Sequence, residues 1–189
     1  PNVNRYFDLP WLGYDQKGRF AEGRLGTDRP HTFKFFGSYS KKNLLGTTTI
    51  SPVMALYSGT PMTTNIDVIS STPAYPFGRG DLGRTPVFFN ADMNAMHEFR
   101  PLKAHENVRV RFEFTVFNLF NSSIVTNKDV VILHPDDGHL TFKNDADFFK
   151  GFDTNALLKA QGNRISPLYN LASGFQGPRG ARIQLSFHF

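Results

Sequence analysis

The sequence predicts an all-β protein of antiparallel transmembrane β-barrel strands, with about five long spans, an incomplete barrel and long outer loops. Five segments alternate apolar and polar residues over about ten to fourteen positions, whereas strands of soluble proteins mostly have about five or six. Short and long connections alternate between these segments, as in outer-membrane barrels. The longest apolar run, Val53–Tyr57, is far shorter than the roughly twenty residues of a membrane-spanning helix.

The first two predicted spans are residues 31–40 and 45–58. In the first, aromatic residues occupy alternate positions, and their side chains would share one face: Phe33, Phe35 and Tyr39. The second span alternates less regularly and contains Pro52. Because proline removes a donor from the β-ladder, we expect an irregularity at this residue.

The other three predicted spans are residues 87–99, 107–120 and 181–189. The third alternates with two exceptions, Met96 and His97, and the fourth loses its alternation after residue 116. In the fifth, every odd position is apolar and every even position is polar. We expect the polar residues of the third and fourth spans to face the interior of a barrel: Asp92, Asn94, Glu98, Arg109, Arg111 and Glu113.

The connections fall into two classes. Residues 41–44 and 100–106 are short, and residues 59–85 and 121–175 are long. Outer-membrane barrels place tight turns on the periplasmic side and long loops outside. Residues 1–30 are therefore predicted to form an extracellular loop or partial strand, and residues 31–189 to contain strands of the barrel.

The second long loop has two predicted elements of its own. Residues 130–134 and 139–143 flank Pro-Asp-Asp-Gly, a turn sequence, and this pattern predicts a hairpin. Asp153 is placed to cap a short helix that runs through Lys159, with Gly162 beyond its end.

Several short motifs follow one another in a specific order between residues 24 and 189. They are Asp28-Arg29-Pro30-His31, Ser58-Gly59-Thr60-Pro61, Asn90-Ala91-Asp92-Met93, Arg111-Phe112-Glu113-Phe114, Phe117-Asn118-Leu119-Phe120-Asn121, Phe175-Gln176-Gly177-Pro178-Arg179 and Phe187-His188-Phe189. Together they resemble the C-terminal part of TonB-dependent outer-membrane receptors, most closely the Oar-like branch.

The resemblance implies a bacterial outer-membrane location, contact with outer-membrane lipid, and uptake of a scarce, bulky nutrient. In that family a barrel of about 22 strands surrounds an N-terminal plug, on which an energy-coupling protein pulls. The remaining strands and the plug are therefore expected on the same longer polypeptide or on another chain, since single-chain bacterial barrels start at about eight strands. Phe187 and Phe189 resemble the family's terminal aromatic signal for barrel assembly.

Two other functions stay open at this stage. A partial barrel could be a structural subunit of an outer-membrane assembly without transport, in which case the plug and coupling segment would be absent or on a partner. A soluble β-sandwich binding module would bury the apolar faces of its strands against a second sheet. In the receptor interpretation the outer loops contact the substrate or a surface protein.

Other classes of function find little support in the sequence. There is no cysteine, no G-x-S-x-G and no H-E-x-x-H, so we expect no enzyme activity. The net charge of +5 comes from dispersed basic residues, so we expect no nucleic-acid partner. The G-x-G-x-x-G at residues 78–83 precedes a β-pattern rather than a helix, so we expect an outer loop and no cofactor.

One cluster of residues in the second long loop has side chains that can bind metal ions. The cluster also contains the Pro-Asp-Asp-Gly turn, and ordinary turn chemistry is the interpretation that we favour. The candidate metal ligands are His134, Asp136, Asp137 and His139.

Overall fold

The computed structural model describes residues 14–68, 72–99 and 108–189, and it is a mostly antiparallel β structure. Contacts divide the chain into two compact units. The loop unit comprises the described parts of Pro1–Arg29, Gly59–Thr85 and Val125–Gly174. The sheet unit comprises those of Pro30–Ser58, Pro86–Ile124 and Phe175–Phe189.

The described residues form ten strands and two α-helices. The strands are β1 (Thr32–Phe36), β2 (Tyr39–Asn43), β3 (Gly46–Tyr57), β4 (Ile66–Val68), β5 (Thr72–Ala74), β6 (Phe88–Phe99), β7 (Arg109–Phe117), β8 (Val125–Lys128), β9 (Ala172–Phe175) and β10 (Gly180–His188). The helices are α1 (Ala146–Phe149) and α2 (Thr154–Gln161). Among residues 14–68, 72–99 and 108–189, neither helix has the length and apolar character needed to cross a membrane.

The sheet unit is one antiparallel sheet in which chain neighbours lie side by side. Its order is β1–β3–β6–β7–β10, and β2 pairs with the same strand, β3, as β1 does. The alternating segments of the sequence therefore become these strands, with their ends displaced by a few residues. Residues 41–43 of the predicted connection 41–44 belong to β2, so this turn is shorter than predicted. The short connection 100–106 lies outside the described residues.

The irregularity expected at Pro52 falls on the neighbouring strand. β3 runs unbroken through Pro52, whereas the predicted span 31–40 is divided into β1 and β2 at Gly37 and Ser38. The register is the same on both sides of the break, so Gly37 lies opposite Pro52. The Gly37 N–H donates to the Pro52 carbonyl at 3.1 Å, and proline has no N–H to return the bond. The missing donor therefore interrupts the ladder on this side of β3.

The turn between β2 and β3 requires glycine at its last position. Gly46 has φ 151°, and a Cβ there would lie 2.0 Å from the Glu98 carbonyl oxygen of β6. The closeness of β6 therefore excludes a larger residue, which is consistent with a tight turn at this end of the sheet.

The loop unit has a hydrophobic core of its own. β4 pairs with β5 and β8 pairs with β9. Buried side chains from both long connections form the core: Ile66, Val68, Ala74, Ile132, Leu133, Leu140, Phe148 and Leu158. The long connections are thus folded segments that bury apolar side chains together.

The predicted short helix is confirmed as α2. The Asp153 carboxylate accepts a hydrogen bond from the Ala156 N–H at 2.9 Å, which caps the first turn. Gly162 ends the helix with φ 73°, in the left-handed region that glycine adopts readily.

The predicted hairpin with arms at 130–134 and 139–143 is wrong. Pro135–Asp137 is a 3-10 helix, and the flanking residues pair elsewhere. Val131 bridges to Asn65, and Leu140 bridges to Val68 at the end of β4. A turn sequence indicates a reversal of the chain, but it does not specify which segments the flanking residues pair with. Here the residues on both sides of the turn pair with the segment around β4.

Candidate membrane-facing sheet

One face of the sheet unit is apolar and exposed. Alternate residues of each strand share this face, since cross-strand partners point to the same side. Among them, Phe33 is 60% exposed, Ile183 is 68% exposed and Phe187 is 63% exposed. In the described part of the chain this face is thus not covered as the inner face of a β-sandwich would be. Such a large exposed apolar surface marks a site of contact with another apolar phase or partner.

The apolar residues form a band that crosses the strands obliquely. On β1 and β2 the band extends from Phe33 to Tyr39, and Lys41 ends it. The register aligns Tyr39 with Ile50, Ala95, Phe114 and finally Ile183 on β10. On β10 the apolar run continues to Phe187, four positions beyond Ile183 (187 − 183 = 4).

The other end of the band is displaced equally. The band begins at Phe33 on β1 but at Ala181 on β10, and Ala181 belongs to the row of Gly37, four positions after Phe33 (37 − 33 = 4). At about 3.3 Å per residue, the displacement of four residues is about 13 Å along the strands. At about 4.8 Å between neighbouring strands, the distance from β1 to β10 is about 19 Å across them. The corresponding angle of about 35° lies in the range of strand tilt in outer-membrane barrels.

The opposite face carries paired polar groups. The six residues predicted to face a barrel interior all lie on this face: Asp92, Asn94, Glu98, Arg109, Arg111 and Glu113. Glu98 contacts Arg111 at 3.1 Å and Arg109 at 3.8 Å, and Asn94 donates to the Thr115 hydroxyl at 2.8 Å. The structure therefore brings the six together on one polar wall, and their position in a lumen stays a prediction.

Glu98→Gln is expected to lower the free energy of unfolding by about 1 kcal/mol, because Glu98 is the shared acceptor of two arginines in partly exposed ion pairs. Glu113→Gln is the matched control, since its contact with Arg111 is 3.9 Å, and we expect an effect of under about 0.5 kcal/mol. Urea unfolding measures both. An equal loss for the two variants would show that Glu98 does not organise the wall.

A cluster of hydrogen bonds around Asn118 connects three chain segments at the end of the sheet from which the long connections leave. Asn118 is buried and has φ 49°, and its side-chain N–H groups donate to the Ser122 and Gly177 carbonyls, both at 2.8 Å. The side-chain carbonyl oxygen of Asn118 accepts from the Ser122 N–H at 2.9 Å, and the backbone N–H of Asn118 donates to the Asp92 carboxylate at 2.9 Å. The cluster joins residues from three of the motifs that carry the family resemblance. Sequence reasoning did not identify this role, since it depends on contacts between segments far apart in the chain.

Phe187 and Phe189 are both exposed. Phe187 is 63% exposed on the apolar face, and Phe189, the residue after β10 ends, is 99% exposed. Their role in barrel assembly stays a prediction.

Comparisons with protein-family models, with curated proteins and with solved structures find no match for this chain.

The four candidate metal ligands do not form a metal site in the structure. No group of three such ligands comes together among the described residues. The Asp137 carboxylate is bound by the Arg164 guanidinium at 2.7 Å, and His134 Nδ1 accepts from the Asp136 N–H at 3.3 Å. The side chains of this segment therefore stabilise a 3-10 turn and an ion pair, in agreement with the turn interpretation.

The glycine-rich segment 78–83 is a loop held by its own contacts. Gly78, Gly80 and Gly83 all have positive φ, and Asp81 accepts a hydrogen bond from the Thr64 N–H at 2.8 Å. The next element is the strand β6, so the strand–helix context of a dinucleotide site is absent from this described segment.

Two carboxyl groups of the loop unit predict opposite pH effects. Burial raises the pKa of Asp67 above its ordinary value of 3.8, although the charge of His139 acts the other way. The folded state therefore loses stability as the pH rises from 3.8 through the raised pKa. Asp67→Asn is expected to raise the melting temperature at neutral pH and to have no effect below pH 3.8.

Asp137→Asn is the control of opposite sign. Hydrogen bonds from Arg164 hold the pKa of Asp137 below its ordinary value. Its stabilising contribution is present above pH 3.8 and is lost as the pH falls through the lowered pKa, so the variant should melt at a lower temperature at neutral pH. Thermal unfolding between pH 3 and 7 measures both, and a shift of the same sign for the two variants would contradict this account.

Proposed function

We propose that this chain is the C-terminal barrel portion of a TonB-dependent outer-membrane receptor that takes up a scarce, bulky nutrient. The observation that carries the proposal is the oblique, exposed apolar band. Strands of outer-membrane barrels are tilted, whereas the hydrocarbon layer is flat. The apolar side chains of tilted strands must therefore form a band inclined to the rows of paired residues, and the observed incline is about 35°. Lipid chains would cover the side chains that this unit leaves exposed.

The edges of the sheet support completion by further strands. In the described part of the chain, the outer edges of β1, β2 and β10 have no strand partner. Unpaired backbone groups cost several kcal/mol each in hydrocarbon, so an edge in lipid must be closed. In this proposal, strands of the same longer polypeptide or of another chain complete the ring, and the polar wall borders the plug.

The positions of the connections support an inside and an outside. The long connections leave β3 at Tyr57 and β7 at Phe117, and both sites lie at the same end of the antiparallel sheet. The turn after Asn43 lies at the other end. The proposal places the loop unit at the extracellular mouth, where it contacts substrate, and the turn in the periplasm.

The experiment is a growth test of cells that lack the protein, cells that lack the energy-coupling protein, and complemented cells. Each strain grows with an iron chelate, a glycan or a peptide as its limiting nutrient. Both deletions should reduce growth on the same nutrient, and complementation should restore it. Normal growth of the first deletion on all nutrients, with the protein present in the outer membrane of the parent strain, would contradict the transport proposal.

The loop unit also favours a second candidate, a structural subunit of an outer-membrane assembly. Three large apolar side chains of one loop segment are more than half exposed: Ile165 (54%), Leu168 (57%) and Leu171 (55%). Large exposed apolar patches mark protein contacts, and in this candidate these three side chains form part of one. In this candidate, replacing all three by serine should release a surface partner, and deletion of the protein should leave uptake unchanged. In the receptor proposal, deletion of the protein should reduce uptake.

A further inference from the structure

The apolar face carries one formally charged side chain among its described strand residues, Lys41 on β2. The acidic residues of these strands are on the opposite face: Asp92, Glu98 and Glu113. Lys41 is exposed, and it makes no ion pair in the described part of the chain. A cation at the edge of an apolar surface, with no acid on that surface, has charge complementarity for an anion.

Two polar side chains lie in the same row as Lys41. The register aligns Lys41 with Thr48 on β3, and Thr48 with His97 on β6. The Thr48 hydroxyl is 2.9 Å from His97 Nδ1, and the imidazole stacks on the Phe99 ring at 5.8 Å. These contacts orient the ring, while Nε2 makes no hydrogen bond with any described residue. The row thus combines an ammonium group, a hydroxyl and an oriented imidazole.

On β2 and β3 the row lies where the apolar band ends, whereas on β6, β7 and β10 the band continues past it to Phe99, Val110 and Phe187. It is the next row on this face after Tyr39, Ile50 and Ala95. It is also close to the turn that joins Asn43 to Gly46, the end of the sheet that faces the periplasm in the proposed receptor. A membrane-exposed residue at this level meets lipid headgroups of the inner leaflet rather than acyl chains.

We propose that Lys41 and His97, with Thr48 orienting the imidazole, bind the phosphate of an anionic phospholipid headgroup. The inference rests on the proposed membrane location of the sheet. Lysine attracts anionic headgroups. When His97 Nδ1 accepts from the Thr48 hydroxyl, the His97 Nε2–H is left to donate to a phosphate oxygen. The site would hold a lipid at the border of the band and fix the depth of β2, β3 and β6 in the bilayer.

The test uses the protein as isolated from cells, in vesicles that contain phosphatidylglycerol and phosphatidylcholine in equal amounts. Native mass spectrometry after detergent extraction gives the ratio of the two lipids retained by the protein. Lys41→Gln should lower the preference for phosphatidylglycerol by about fivefold, the effect of one lysine near an anionic surface. Lys34→Gln, on the polar face, is the matched control and should leave the ratio unchanged. His97→Gln should also lower the preference.

Three results would overturn the site. Equal ratios for the parent protein and the Lys41 variant, with both inserted in vesicles, would exclude the lipid site and leave the membrane proposal standing. Displacement of the lipid by millimolar inorganic phosphate would indicate a free-anion site. Failure of the parent protein to insert at all would overturn the proposed function, and the lipid site with it.

Discussion

Ile183→Arg is expected to destabilise the membrane-inserted protein by about 2–4 kcal/mol, the cost of an arginine on the lipid face of a barrel near the bilayer midplane. Ile183 lies in the middle of the apolar run of β10 and is 68% exposed. In water a residue this exposed would tolerate arginine, because surface substitutions away from special features usually change stability by less than about 0.5 kcal/mol. The size of the stability change therefore shows whether this face is surrounded by lipid or by water.

Gln184→Arg provides the control one residue along the same strand. Gln184 is exposed on the polar face, where its row partner on β7 is Glu113. The arginine would gain a neighbouring carboxylate, so we expect a change of under about 0.5 kcal/mol. Urea unfolding of the protein in vesicles gives both values. Two small and similar changes would mean that neither face contacts hydrocarbon.

Asn118→Ala is expected to lower the free energy of unfolding by about 4 kcal/mol. The substitution removes the three part-buried side-chain hydrogen bonds to Ser122 and Gly177, at about 1 kcal/mol each. Alanine is also strained at the φ of 49°, which asparagine tolerates better. The loss should therefore be among the largest for any single polar residue of the sheet unit.

Two further variants separate the causes. Asn118→Gly removes the same hydrogen bonds without the strain, so we expect a loss about 1 kcal/mol smaller than for alanine. Asn121→Ala introduces a similar strain, since Asn121 has φ 54°, but it removes a single hydrogen bond, from the Arg179 N–H at an exposed position, and should cost about 2 kcal/mol. Equal effects of Asn118→Ala and Asn121→Ala on urea unfolding would show that the Asn118 side-chain hydrogen bonds do not stabilise this end of the sheet.

The long strands could be predicted from the sequence because each exposes two different faces over many residues. Period-two alternation in residues 181–189 specifies which side chains share a face, and β10 confirms it. The α2 helix was predictable for a similar reason, since Asp153 and Gly162 act through local hydrogen bonds and backbone geometry.

Features that depend on partners far along the chain could not be predicted. The incline of the band becomes measurable only when the register aligns Tyr39 with Ile183 across five strands. The row of Lys41, Thr48 and His97 has the same origin, and in the sequence His97 was only an exception to an alternating pattern. The core of the loop unit contains short apolar segments from both long connections, and for this reason the Pro-Asp-Asp-Gly turn does not join the two arms of a hairpin.

The most direct measurement of the central claim is the environment of successive β10 side chains in vesicles. The chain has no cysteine, so single cysteines at positions 182–187 can each carry a fluorophore without background. Nitroxide-labelled lipids should quench the odd positions strongly, and aqueous iodide should quench the even ones. Strong quenching by iodide at every position, with no quenching by the labelled lipids, would contradict the claim that this face of the sheet contacts hydrocarbon.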